Sequence, residues 1–211
     1  MSNLRILPII LIFVFFTANI SSSLTLRRRE TYFLFYKQNR NLNRKIEAVY
    51  SLAKLKDIRA LTMFVNDLCF PPYNRRMENY TSGISSAVRR AISIALRSYK
   101  GLNEELLIAH FNALRKFVED ASEEPLVGFT VVTLAMWSKG MGDKHKRLLV
   151  NSIKRRTGRV HPVNSWVVFQ FVEALRIIKT NYALDTLSYM LTLGYSARIK
   201  ARIKKVLNDA M

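Results

Sequence analysis

The chain has 211 residues, 49% of them hydrophobic, with Gly (7) and Pro (5) both scarce. That composition excludes a disordered polymer and disfavours an all-β domain with its many tight turns, and it leaves room for one domain or four to five helical repeats of about 40 residues. The 34 Lys and Arg against 15 Asp and Glu give a formal charge of +19, and the one cysteine, Cys69, excludes an internal disulfide framework.

Residues 1–23 read as a targeting segment. Met1 to Arg5 is a short basic start, Ile6 to Phe16 an apolar run, and Thr17 to Ser23 turns small and polar. The run, about eleven residues, has the length of a signal-peptide core and falls short of a spanning helix; Ser21 and Ser23 suit a cleavage site. Arg27, Arg28 and Arg29 follow at once, and such charge resists translocation, so an apolar run stretched to Leu26 and kept as an uncleaved anchor stands beside the cleaved signal peptide. Either fate directs the protein to a membrane or the cell envelope; a buried helix of the soluble domain is the third and least favoured reading. Residues 24–42 join the basic cluster to Tyr32, Phe33, Phe35 and Tyr36. They form either a juxtamembrane segment among lipid headgroups or, the preferred reading, a first helix with its rings turned inward.

From residue 43 to 211 apolar residues recur at three- and four-residue spacing, as buried helical faces require. Ile46 to Ala53 makes one stripe and Leu61 to Leu68 the next, stopped by Pro71 and Pro72; the polar stretch Tyr73 to Ser85 reads as an insertion loop. Val88 to Tyr99 and Leu106 to Phe117 repeat the cycle around Gly101. Pro125 opens a segment, Leu126 to Trp137, that is apolar nearly all round and predicts a central helix. Asp143 is placed to cap a helix through Ile153, and Asn164 or Ser165 one through Ile178 whose polar residues Gln170, Glu173 and Arg176 share a narrow stripe. Tyr182 to Leu193 and Ser196 to Ala210 complete the set. Leu52, Leu96, Ala135 and Leu175 recur about every 40 residues with two helices per unit, which predicts an all-α fold, an α-solenoid of about four helix pairs.

Two stretches carry a family resemblance. Ser85 to Leu96 (Ser-Ser-Ala-Val-Arg-Arg-Ala-Ile-Ser-Ile-Ala-Leu) resembles the first helix of a HEAT repeat, and residues 183–207 resemble the passage from a second helix into the next first one. Asp67 and Asp120 fall near the family's inter-helix aspartate, Arg89 and Lys200 at its basic position, while Gly128 and Val168 stand where further arginines belong. The resemblance implies a curved, right-handed helical stack that binds other macromolecules, and no particular reaction.

Catalytic chemistry finds little support. His110, His145 and His161 lack metal-ligand spacing, Cys69 has no base nearby, and the acidic pairs Glu104/Glu105, Glu119/Asp120 and Glu123/Glu124 sit at helix ends. The sequence calls for no cofactor, metal or small-molecule substrate. Its working surfaces are basic: Lys154, Arg155, Arg156 and Arg159 in one cluster, with Lys144, Lys146 and Arg147 before it, and Arg198, Arg202 and Lys205 flanking the last helix beside Lys200 and Lys204. A solvated repeat end accounts for them as well as anion binding does. The preferred expectation is a non-enzymatic helical-repeat scaffold at a membrane, holding a protein partner or an anionic membrane surface. The alternative is a HEAT-like nucleic-acid-binding protein, with a DNA-glycosylase relative of that kind the least favoured version, in which Trp137 or Trp166 would stack on bases.

Overall fold

The computed structural model describes residues 26–70, 84–159 and 164–210, and these are helical without a strand among them. The apolar segment at 1–23, most of the stretch read as an insertion loop, and His161 lie outside the described residues. The helices are α1 (residues 26–38), α2 (Leu42–Lys54), α3 (Ile58–Cys69), α4 (Ser86–Ala95) with a 3-10 extension (Leu96–Tyr99), α5 (Glu104–Asp120), α6 (Glu124–Ser138), α7 (Asp143–Arg159), α8 (Ser165–Ile178), α9 (Asn181–Thr192) and α10 (Ala197–Asn208). Among them none is long and apolar enough to cross a membrane.

Short polar side chains start several of these helices by accepting from otherwise unpaired backbone N–H groups. Asn41 takes the N–H of Asn43 at 2.9 Å, Asp57 that of Arg59 at 3.0 Å, Asn103 that of Glu105 at 2.9 Å and Asn164 that of Trp166 at 2.9 Å. Asp143 does something else: it is the first residue of α7, where it accepts from Arg147 Nε at 3.0 Å and from the Tyr182 hydroxyl at 2.8 Å. Left-handed backbone closes α2 at Lys56 (φ 50) and α8 at Lys179 (φ 48), and Gly101 (φ 79) takes the same region after the 3-10 turn, where a glycine costs nothing.

The even-numbered helices pack in series, α2 on α4, α4 on α6, α6 on α8 and α8 on α10; the odd-numbered ones do the same from α3 to α9. Helix α1 joins α3 through Tyr36, whose ring meets Phe64 at 5.3 Å and whose hydroxyl donates to Asp67 Oδ2 at 2.5 Å. Several polar links bridge residues 38 to 42 apart in the chain. Gly142 N donates to Glu104 (38 apart), Tyr182 to Asp143 (39), Thr133 to the Ser93 carbonyl (40), Trp137 Nε1 to the Leu96 carbonyl (41) and Tyr99 to the Asp57 carbonyl (42). Leu52, Leu96, Ala135 and Leu175 are all fully buried.

Helix α6 lies at the centre and is covered by α4, α5, α7 and α8. Its approach to α8 explains a departure noted in the sequence. A Cβ on Gly128 would stand 2.6 Å from Cζ3 of Trp166, so an arginine has no room there. Arg89, at the corresponding place on α4, is buried; it pairs with Glu123 and donates to the Leu68 carbonyl at 2.7 Å, covering the end of α3. Asp67 is held by Tyr36 inside α3, and the buried aspartate of an inter-helix turn is Asp57 instead.

Candidate functional site

The cluster at Lys154, Arg155, Arg156 and Arg159 belongs to the last turns of α7, which runs on past Ile153 and through Gly158 rather than stopping before them. Because Arg156 follows Ile153 by three residues, it shares the buried face of the helix. It is 6% exposed, and its Nη1 donates to the Glu119 carbonyl at 3.0 Å at the end of α5. Arg156 is therefore a structural residue, in correction of its place in a surface patch. The service that Arg89 performs for α3 is performed by Arg156 for α5. Arg155 is exposed, with Nη1 3.8 Å from Glu119 Oε1. That carboxylate also accepts from Arg115 Nη1 at 2.8 Å and meets the Ser152 hydroxyl at 2.7 Å. Lys154 lies over the ring of Tyr189 on α9, 5.4 Å from its centre. Of the four, Arg159 closes the helix.

Arg198 and Arg202 face α8 from α10. Arg198 sits over the Phe169 ring at 5.7 Å and Arg202 Nη2 lies 3.5 Å from Glu173 Oε2, while Lys205 is exposed. Arg198 and Arg202 thus meet α8, in the even-numbered row, whereas Arg156 and Lys154 of the α7 cluster meet α5 and α9, in the odd-numbered one.

Cys69, His110 and His145 lie among neighbouring groups of the fold. Burial pushes the Cys69 thiol up to about 12, which keeps it a protonated filler at neutral pH. His110 lies 3.3 Å from the Thr62 hydroxyl, its pKa lowered by partial burial, and His145 Nδ1 stands 3.3 Å from Glu104 Oε1. No cluster of His, Cys, Asp and Glu among the described residues is suited to hold a metal ion.

A different set of cations comes together in three dimensions. Lys56, Lys100, Lys139 and Lys179 each follow an even-numbered helix or its 3-10 extension, about 40 residues apart, and all four are exposed. One such lysine complements the negative end of its helix dipole; the four follow successive helices of the even-numbered row, each of which packs on the next. Lys56 Nζ reaches the Lys100 carbonyl at 3.3 Å, which ties neighbouring turns together. None of the four has a carboxylate partner among the described residues.

A groove of about 420 Å³ opens between the 3-10 extension, α6 and α8. Val132, Met136 and Ile177 supply its apolar lining, and Arg97, Lys100, Lys139 and Arg176 its cations. Arg97 is half-buried, its Nε without a hydrogen-bond partner, and that burial lowers its pKa. The one carboxylate of the lining among the described residues, Glu173, is engaged by Arg176 at 2.5 and 2.9 Å and faces Arg202. Gln170, Glu173 and Arg176 are the polar stripe legible in the sequence; the lysine row emerges only when residues about 40 apart are set side by side, and no motif marks Arg97.

No protein-family model, curated protein or solved structure matches the chain.

Proposed function

We propose that the chain is a HEAT-like α-solenoid acting as a non-enzymatic binding scaffold, brought to a membrane by its N-terminal segment and docking on an anionic membrane surface. The reading of the fold is supported by two rows of helices in serial contact and by polar links that recur near 40 residues. The observation that carries the binding reading is the series Lys56, Lys100, Lys139 and Lys179, exposed and without acidic partners among the described residues. Neighbouring packed helices stand about 8–10 Å apart, so four such residues span roughly 30 Å, a line of ammonium groups able to meet a plane of lipid phosphates. Each lysine near an anionic surface is worth about 1 kcal/mol, and release of counterions makes the attraction salt-dependent. The nucleic-acid alternative asks for free aromatic faces, yet Trp137 is 1% exposed and Trp166 packs against Phe129 at 4.8 Å.

The test replaces all four lysines by Gln and compares binding to anionic vesicles, neutral vesicles and oligonucleotides at one ionic strength. The native chain should bind anionic vesicles, weaken steeply with salt, and lose at least about tenfold in affinity on substitution. Unchanged vesicle binding by the variant, or a preference of the native chain for oligonucleotides, would refute the proposal.

A further inference from the structure

We infer that the groove between the 3-10 extension, α6 and α8 is a docking site for an acidic peptide segment that carries an aliphatic side chain among its carboxylates. The inference rests on the reading of the chain as a binding scaffold and names a second partner class for it, a protein segment beside the lipid surface.

Three features select that occupant. The first is charge: among the described residues Arg97, Lys100 and Lys139 face the groove without a carboxylate partner, and Glu173, the one acid of the lining, is taken up by Arg176 and Arg202. An anionic guest therefore meets cations that no internal acid neutralises. The second is desolvation. Arg97 has given up part of its water without gaining a hydrogen bond at Nε, so a carboxylate reaching it restores what burial removed. The third is the character of the lining. Val132, Met136 and Ile177 are aliphatic and present no ring on which a base would stack. A bilayer is flat, whereas the groove is concave and of a size to take a few side chains of an extended segment. Met136, unbranched and half-buried on α6, adapts its shape to such a side chain.

The experiment measures, by fluorescence anisotropy on the full chain, binding of a labelled glutamate-rich peptide with isolated leucines. A glutamate peptide without leucine and a single-stranded oligonucleotide of equal charge serve as competitors. The leucine-bearing peptide should bind, and neither competitor should displace it at equal concentration. Met136→Glu, which places a carboxylate on the lining, should weaken binding roughly tenfold or more, and Arg97→Gln should weaken it several-fold while circular dichroism stays native. Lys154→Gln with Arg155→Gln should leave it unchanged. The inference fails if Arg97→Gln and Met136→Glu bind as the native chain does, or if the oligonucleotide displaces the peptide equally well. Anionic-vesicle binding of the same two variants separates this result from the membrane reading: it should persist, because the lysine row is intact. Loss of vesicle binding together with an unaltered peptide affinity would assign Arg97 to lipid and overturn the peptide site.

Discussion

On α7, cations that are neighbours in the chain are shared out among partners already in the fold. Arg156 turns inward onto the end of α5, Arg155 stands near Glu119, and Lys154 covers Tyr189. Around the groove the situation is reversed: Arg97 and Lys100 from the 3-10 turn meet Lys139 from the end of α6, and none of the three pairs with a carboxylate among the described residues. A run of basic residues on a helix is spread around its axis by 100° per residue, so part of it must face the neighbouring helix and be satisfied there. Residues about 40 apart, one per helix pair, fall on the same side of every pair and add up. Basic density along the chain is thus a poor guide to basic density on this surface, and the interval is a better one.

The largest test of this contrast concerns what lies under the groove. Leu175 is fully buried on α8, and Glu173 and Arg176 on either side of it reach the groove. Leu175→Ala should cost roughly 2–5 kcal/mol in urea unfolding, because tightly packed α6 and α8 close poorly over a cavity. A loss under about 1 kcal/mol would break the comparison, since the groove would then rest on a loose and deformable base.

A smaller effect separates two adjacent arginines. Arg156→Gln removes a buried donor from the part-buried Glu119 carbonyl and should cost about 1–3 kcal/mol, whereas Arg155→Gln, an exposed group at 3.8 Å from its carboxylate, should change stability by less than about 0.5 kcal/mol. Equal losses at the two positions would show that α7 is oriented differently from the present account.

The sequence made the helices legible because their burial is periodic. Every apolar stripe read along residues 43 to 211 corresponds to one of α2 to α10, and Asn164 caps α8 as its position suggested. The extension of α7 past Ile153 was hidden because its residues are mostly charged and because Gly158 is a poor helix former. It lies within the helix, where a Cβ would come 3.1 Å from the Tyr189 hydroxyl, so its smallness serves the contact with α9. Arg156 carried its own signal: with Leu149 and Ile153 it continues the buried stripe at three- and four-residue spacing, and charge obscured that periodicity. The lysine row was recoverable from the interval Leu52, Leu96, Ala135 and Leu175, since a lysine follows each by four residues. The groove was not, because its members are brought together only by the packing of three elements.

The smallest effect should appear at Glu173. Arg176 donates Nε to Oε2 at 2.9 Å and Nη2 to Oε1 at 2.5 Å, and these hydrogen bonds hold the carboxyl below its ordinary value of 4.5 against a partial burial that acts the other way; the charges of Arg176 and Arg202 add to the effect. A carboxyl with a lower pKa in the folded state contributes stability that is whole above 4.5 and drains away as pH falls through the folded value. All three side chains are substantially exposed, so screening keeps the contribution under about 1 kcal/mol. Urea unfolding of native protein and of Glu173→Gln, compared at neutral pH and in steps below 4.5, should show the native advantage shrinking with acid until the two coincide. If the two profiles instead run parallel through that window, Glu173 is not held by its arginines. The groove would then contain a carboxylate free to meet Lys139 or Arg97, and its electrostatic difference from α7 would disappear.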